Sequence, residues 1–122
     1  MSIQMNKKIL VNEVMLAVEK CPIVSENVIL KQALEEMGAL KLGMSCIVDF
    51  EGKLLGIITD GDIRRKLLKS QKPLSALFVD DALVHSIQTP IVTKPSDLLI
   101  DAVMLMDKNQ VWDLPVVDNH NK

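Results

Sequence analysis

Lys53-Leu54-Leu55-Gly56-Ile57-Ile58-Thr59-Asp60-Gly61-Asp62-Ile63-Arg64-Arg65-Lys66 is the stretch that decides the fold. Its apolar run, Leu54 to Ile58, predicts a buried strand. The run breaks into Thr-Asp-Gly-Asp and continues as a basic amphipathic helix from about Gly61 to Lys69. Strand and helix follow one another with no spare residue, so the first backbone N–H groups of the helix are placed to meet an anion. The same residues also spell a capping box, with Thr59 as N-cap and Asp62 reaching back. Such a box stabilises a helix by about 1 kcal/mol and needs no ligand. From these residues alone both readings stand.

Upstream, Ser45-Cys46-Ile47-Val48 reads as a second strand, and Phe50-Glu51-Gly52-Lys53 as the turn of an antiparallel hairpin. Before it, Leu30, Ala33, Leu34, Met37 and Leu40 form the i, i+3, i+4, i+7 face of a helix. Gly38 weakens that helix and Gly43 is expected to stop it, with Ser25 or Asn27 as its cap. Cys21-Pro22-Ile23-Val24 predicts an extended piece, because the residue before proline is biased away from helix. Lys8 to Leu16 predicts a short helix or lead-in, and Ser70 to Pro73 ends the basic helix.

The pattern then starts again. Leu99, Ala102, Val103 and Met106 repeat Leu30, Ala33, Leu34 and Met37 at a shift of 69 residues, and Val116-Val117-Asp118 repeats Ile47-Val48-Asp49 at the same shift. Pro90-Ile91-Val92 matches Pro22-Ile23-Val24 at a shift of 68, which implies one residue gained between strand and helix. Two degenerate β-α-β-β-α units are the simplest reading, packed about a pseudo-twofold because each is too small to bury its own face. The fold class expected is α+β. The expected divisions are a linker or expression remnant over 1–8, repeat 1 over 9–76 and repeat 2 over 77–122. Repeat 2 stops at Lys122, where repeat 1 begins its third strand, so it lacks its last strand and helix. That predicts an exposed edge near Val116 and a chain that is part of a longer one.

Composition narrows the function. Of 122 residues 48% are apolar, which argues against disorder. Phe50, Phe78 and Trp112 are the only aromatic residues, and the net charge is -2, so neither stacking on bases nor attraction to phosphate backbones or anionic membranes is favoured. No apolar run reaches the roughly 20 residues of a membrane helix, and two cysteines do not make a disulfide framework. A cytoplasmic setting follows. Asp60-Gly61-Asp62 resembles the start of a calcium loop, but Arg64 and Gln71 stand where ligands are required. Cys21, Cys46, His85 and His120 lack zinc-motif spacing, and no Ser or Cys sits in a tight strand-to-helix elbow. No metal and no catalysis are expected. The methionines read as adaptable core filling, and Lys66 and Lys69 as a solvated helix face. Trp112, just before the last strand, is the residue to watch for a partner contact.

The repeated unit, with Gly56-Ile57-Ile58-Thr59-Asp60-Gly61-Asp62 at a strand exit, resembles the CBS domain (named for cystathionine β-synthase). Gly56, Thr59 and Asp62 occupy the marked positions of that family's Gly-apolar-x-Thr/Ser-x-x-Asp/Asn pattern. The resemblance implies a regulatory, non-catalytic pair that binds adenosine nucleotides or related ligands between its repeats. Asp62 would accept hydrogen bonds from ribose hydroxyls, Thr59 would hold ribose or α-phosphate, and the amides of Asp60, Gly61 and Asp62 with Arg64 or Arg65 would hold phosphate. Ile23, Ser45 and Cys46 complete the candidate ligand-binding set. Asp60 counts against it, since its charge beside the anion site repels phosphate.

Leu42-Gly43-Met44-Ser45 and Thr59-Asp60-Gly61-Asp62-Ile63-Arg64-Arg65 are also similar to the C-terminal CBS pair of sugar-phosphate isomerases acting on arabinose 5-phosphate, in the pathway to the lipopolysaccharide sugar Kdo. The resemblance then implies an N-terminal sugar isomerase domain as partner, and homodimers through the CBS pair within a tetrameric parent. AMP, ATP or a cytidine nucleotide sugar would be the ligand. Similar runs occur in CBS pairs fused to sugar nucleotidyltransferases, and an oligomerisation module without a small ligand is the rival from another class. The second copy departs from the pattern: Val84-His85-Ser86-Ile87-Gln88-Thr89-Pro90 is a loose Val-Met-Thr…Pro, and a second Gly-x-x-Thr-x-x-Asp is missing. One site, centred on Thr59 and Asp62, is therefore expected.

Overall fold

The computed structural model describes residues 9–69, 71 and 73–122; the linker expected over 1–8 lies outside the described residues. Three strands, β1 (Ile23–Ser25), β2 (Met44–Val48) and β3 (Leu54–Thr59), form one sheet in the order β1-β2-β3. α1 (Leu30–Leu40) links β1 to β2, α2 (Asp60–Lys69) follows β3 directly, and α3 (Leu74–Phe78) and α4 (Leu99–Asn109) come after it. The class is α+β, as read from the sequence. β1 and β2 run parallel, with Val24 opposite Ile47. β2 and β3 form the expected antiparallel hairpin, with Ser45 opposite Ile58. Its turn is held by the Asp49 carboxylate, which accepts the N–H groups of Glu51 and Lys53, both at 2.9 Å, while Gly52 takes φ 86°.

The described chain divides into two compact units, one built on Ala17–Pro90 and the other on residues up to Leu16 together with Ile91–Asn121. In the first, Leu30 and Ala33 of α1 pack on Ile47 and Ile58 of the sheet, with Leu77 and Ala82 closing the cluster. Leu77 comes from α3, which the sequence reading did not foresee. Its five residues are too few to show a period, and Pro73 at its N-cap is the one local signal. α1 buries Leu30, Ala33 and Met37 from the predicted face.

The ends of α1 differ from expectation. Ile29, not Ser25 or Asn27, is the N-cap; its N–H donates to Gln32 Oε1 at 3.2 Å. The N–H of Leu30 is taken by the Asp80 carbonyl at 2.8 Å, so a distant backbone segment does what a capping side chain would. At the other end the chain turns on Lys41 at φ 58°, one residue past the helix and two before Gly43. α4 is built alike: Leu98 is its N-cap, Gln110 at φ 56° is its C-cap, and the Leu99 N–H is taken by Ile9 at 2.7 Å.

The second unit keeps the repeat's register. Thr93 forms a parallel bridge with Val116, and these two stand 69 residues after Val24 and Ile47, themselves parallel partners. The shift of 69 therefore holds through the strand as well as the helix. The residue inferred to be gained between them from Pro22 and Pro90 is not there; prolines mark the two segments at offset positions. Of the lead-in expected over Lys8 to Leu16, Lys8 lies outside the described residues, and the rest supplies a 3-10 turn, Val11–Glu13, rather than a helix, with Leu10 paired to Leu98. Thr93 is buried, and its hydroxyl donates to Asp97 Oδ2 at 2.8 Å, beside the Lys94 N–H at 2.9 Å.

Those two donors, the backbone one first, hold the Asp97 carboxyl below its ordinary value of 3.8. A carboxyl lowered on folding stabilises the fold above its unfolded pKa, and that contribution fades as pH falls through the folded one. Acid titration of Asp97→Asn followed by circular dichroism should therefore show a shallower loss of stability below about pH 4 than the wild type; identical acid limbs would remove Asp97 from the account.

Two glycines give a second test. The outer edge of β3 is joined to the following segment by reciprocal bonds between Ile57 and Ile87, at 3.0 and 2.8 Å. There a Cβ on Gly56 would collide with the Ser86 side chain and lie 3.1 Å from the Ile87 carbonyl oxygen. Ser86 cannot easily yield, since its hydroxyl donates to the Leu83 carbonyl at 2.7 Å. Gly38, inside α1, meets nothing within 4 Å. In urea unfolding Gly56→Ala should cost about 1–3 kcal/mol by overpacking, whereas Gly38→Ala should add about 0.5–1 kcal/mol through helix propensity.

Candidate ligand site

The junction of β3 and α2 carries the candidate residues. Thr59 ends β3 opposite Met44, and Asp60 begins the helix. The Asp62 N–H donates to Thr59 Oγ1 at 3.2 Å, and the Thr59 N–H donates to Asp62 Oδ2 at 3.3 Å. This is the reciprocal capping box that the spacing allowed. The other carboxylate oxygen, Asp62 Oδ1, accepts from Arg65 Nη2 at 2.7 Å, and the guanidinium lies against Gly61. The Asp60 N–H donates to the Gly43 carbonyl at 3.0 Å. Two of the three amides expected to face phosphate are thus committed within the chain.

Strand register sorts the remaining candidates. Cys46 lies opposite both Ile23 and Ile57, and Met44 opposite Thr59, so Ile23, Cys46 and Thr59 share one face of the sheet. Ile23 is 37% exposed there. Ser45 points the other way, with Ile47 and Ile58 into the core under α1. It is fully buried, and its nearest acceptor is the Pro22 carbonyl at 3.5 Å. Its side chain therefore cannot touch a solute and leaves the ligand-binding set: alternation in a strand allows Cys46 or Ser45 to face outward, not both. Arg64 is exposed and stands about 100° round the helix from Arg65, so the two do not act together.

Asp62, Arg65, Lys66 and Lys69 form one stripe along α2, and with the segment His85 to Ile87 they line a cavity of about 320 Å³. His85 Nε2 lies 2.8 Å from Asp80 Oδ2, and its Nδ1 is buried with no hydrogen-bond partner among the described residues. The sequence reading missed this cleft. Lys66 and Lys69 look like an ordinary solvated face until the 85–87 segment is laid beside them, and only the i, i+3, i+4, i+7 spacing from Asp62 hinted at a common side. Elsewhere, Cys21 is half-buried; burial first and the nearby Glu19 second push its thiol upward, away from a reactive thiolate.

The profile of the CBS domain matches residues 11–69. The chain carries a CBS domain. It is 34% identical over 108 residues to arabinose 5-phosphate isomerase KdsD of Pseudomonas aeruginosa, covering 88% of this chain and 32% of that protein. To KdsD of Yersinia pestis it is 31% identical, with the same coverages. The chain spans about a third of the length of these curated relatives. Its fold is that of CBS pairs. CBSX2 of Arabidopsis thaliana superposes with a TM-score of 0.80 at 24% identity, over 95% of this chain and 85% of that one. The CBS domain pair of protein MJ0100, solved with 5'-methylthioadenosine and S-adenosyl-L-methionine, gives 0.76 at 22% identity, over 95% and 86%. No helix among the described residues is long and apolar enough to cross a membrane.

A capping box has a measurable signature. Asp62→Ala removes the acceptor of the Thr59 N–H and the partner of Arg65, and should lower the ligand-free unfolding free energy by about 1 kcal/mol. Arg65 is 59% exposed, so Arg65→Ala should change it by well under 1 kcal/mol. Chemical denaturation of both variants compares the two, and a neutral Asp62→Ala would contradict the cap.

Proposed function

We propose that the chain is the regulatory, ligand-sensing CBS pair of an arabinose 5-phosphate isomerase, non-catalytic itself, with repeat 1 over 9–76 and repeat 2 over 77–122. The observation that carries the sensing role is the placement of Thr59 and Asp62 at the end of the sheet face that also holds the exposed Ile23 and the half-buried Cys46. Likeness to KdsD supports the isomerase parent, and CBSX2, solved in complex with AMP, supports an adenine nucleotide as ligand. A cytidine nucleotide sugar is the other ligand this reading names. The parent would be a cytoplasmic tetramer whose CBS pairs associate as dimers, with the catalytic centre in an N-terminal sugar isomerase domain.

Regulation in this reading is a coupling free energy. A ligand biases the attached domain only by binding one setting of the pair more tightly than the other. Thermal unfolding with AMP, ATP, CMP, a cytidine nucleotide sugar and S-adenosylmethionine tests it. At 100 times its dissociation constant a ligand should add roughly 2.7 kcal/mol of stability, and Asp62→Asn should erase that gain. If none of the five shifts the wild type, the sensing role is refuted and the oligomerisation module takes its place. Exposed Leu68 on α2 and Met104 on α4 favour that second reading, which sedimentation at increasing concentration checks directly.

A further inference from the structure

The segments that lead into the two repeats are exchanged. Residues 9–16 belong with the unit that carries α4, and residues 80–87 with the unit that carries α1. Both dock by the same bonds. Leu99 and Leu30 donate their N–H groups to the carbonyls of Ile9 and Asp80, and Val11 and Ala82 donate theirs to Asp97 and Val28. Leu10 bridges Leu98 as Asp81 bridges Ile29, and a 3-10 turn follows each bridge. The two straps therefore align at a shift of 71 residues, which puts Asp80 and His85 where the other strap has Ile9 and Val14. The backbone bonds of a strap need no polar pair, since one strap has none.

In 80–87 the pair is nonetheless present, and His85 has a side chain only 9% exposed. A carboxylate only accepts, so the ring donates through Nε2 to Asp80 Oδ2 at 2.8 Å. Nδ1 is left buried with no hydrogen-bond partner among the described residues. A buried polar atom without a partner weakens the docked strap relative to an apolar side chain of similar shape. Beyond His85 the strap is held on β3 by one residue, Ile87, whose bridge to Ile57 is isolated rather than part of a ladder. Ile57 stands two residues before Thr59, and Ser86 and Ile87 line the cleft beside Asp62. Four residues after Ile87, Ile91 begins the other unit.

We propose that residues 80–87 form a releasable latch on the outer edge of β3, loosened by the Asp80–His85 pair, which passes occupancy of the Thr59–Asp62 site into the chain that leads to the second unit. Asp80 and His85 are positioning residues, acting through Ile87 and β3 rather than on the ligand. The latch deepens the sensing role above, and only its response to ligand rests on that role.

Residue-resolved hydrogen exchange of the full chain tests the latch. The Ile58 amide, which strand alternation turns toward β2, reports opening of the whole sheet. In the ligand-free wild type the Ile57 and Ile87 amides should exchange at least about tenfold faster than Ile58. Asp80→Ile with His85→Val, the pair found in the other strap, should reduce that ratio by at least about fivefold. A wild type whose three amides exchange together overturns the latch, whether or not the double variant folds. A folded double variant with an unchanged ratio overturns the role of the pair. Saturating AMP should change the ratio by at least about threefold in the wild type and leave it unmoved in the double variant. AMP that binds, seen as resonance shifts at Ile23 and Thr59, without moving the ratio overturns the coupling and leaves the sensing role intact. Fast exchange at Ile57 and Ile87 with no binding of AMP or the other four compounds refutes the sensing role and the coupling together, while the latch stands.

Discussion

Everything at the candidate site depends on how closely β3 is held. Ile58 faces the core under α1, the inner edge pairs with β2, and the outer edge is closed by Ile87. The last of these contacts is made possible by a missing side chain, since only glycine at position 56 lets Ser86 come so near. Once β3 is fixed on three sides, the position of Thr59 at its end is fixed too, and with it the first turn of α2. The Gly of the Gly-x-x-Thr-x-x-Asp pattern is thus a packing requirement three residues before the Thr that uses it.

The features legible in the sequence were those written in local period. The hairpin, the face of α1, the helix α4 and the Thr59–Asp62 box were all readable, because each is specified within a few residues, although Val103 of the face predicted for α4 is exposed and only Ala102 is buried. What could not be read was supplied by segments far along the chain. Leu30 and Leu99 have no capping side chains to recognise, because the carbonyls of Asp80 and Ile9 take their N–H groups. α3 is too short to carry a period, and the basic cleft exists only because 85–87 lies alongside α2. Ser45 failed as a candidate for a simpler reason: a strand presents alternate residues, and Cys46 had already claimed the outward side.

The charges of α2 have a bland explanation as well as a functional one. Acidic residues at 60 and 62 and basic ones at 66 and 69 complement the helix dipole, each contributing about 0.3–1 kcal/mol at an exposed end. That accounts for sign at the two ends but not for side. A dipole is indifferent to rotation about the helix axis, so it gives no reason for Lys66 and Lys69 to share a stripe with Arg65 and Asp62 beside a buried histidine.

Nor do the capping and ligand roles of Asp62 compete in the way the sequence alone suggested. An ionised carboxylate offers about four lone-pair positions. The chain uses two of them, one for the Thr59 N–H and one for Arg65, and the side chain keeps 13% of its surface exposed. A cap that also accepts from a ligand therefore need not be undone by it. Binding to Asp62 would instead be paid for at Arg65, whose guanidinium is the more exposed and more easily displaced partner.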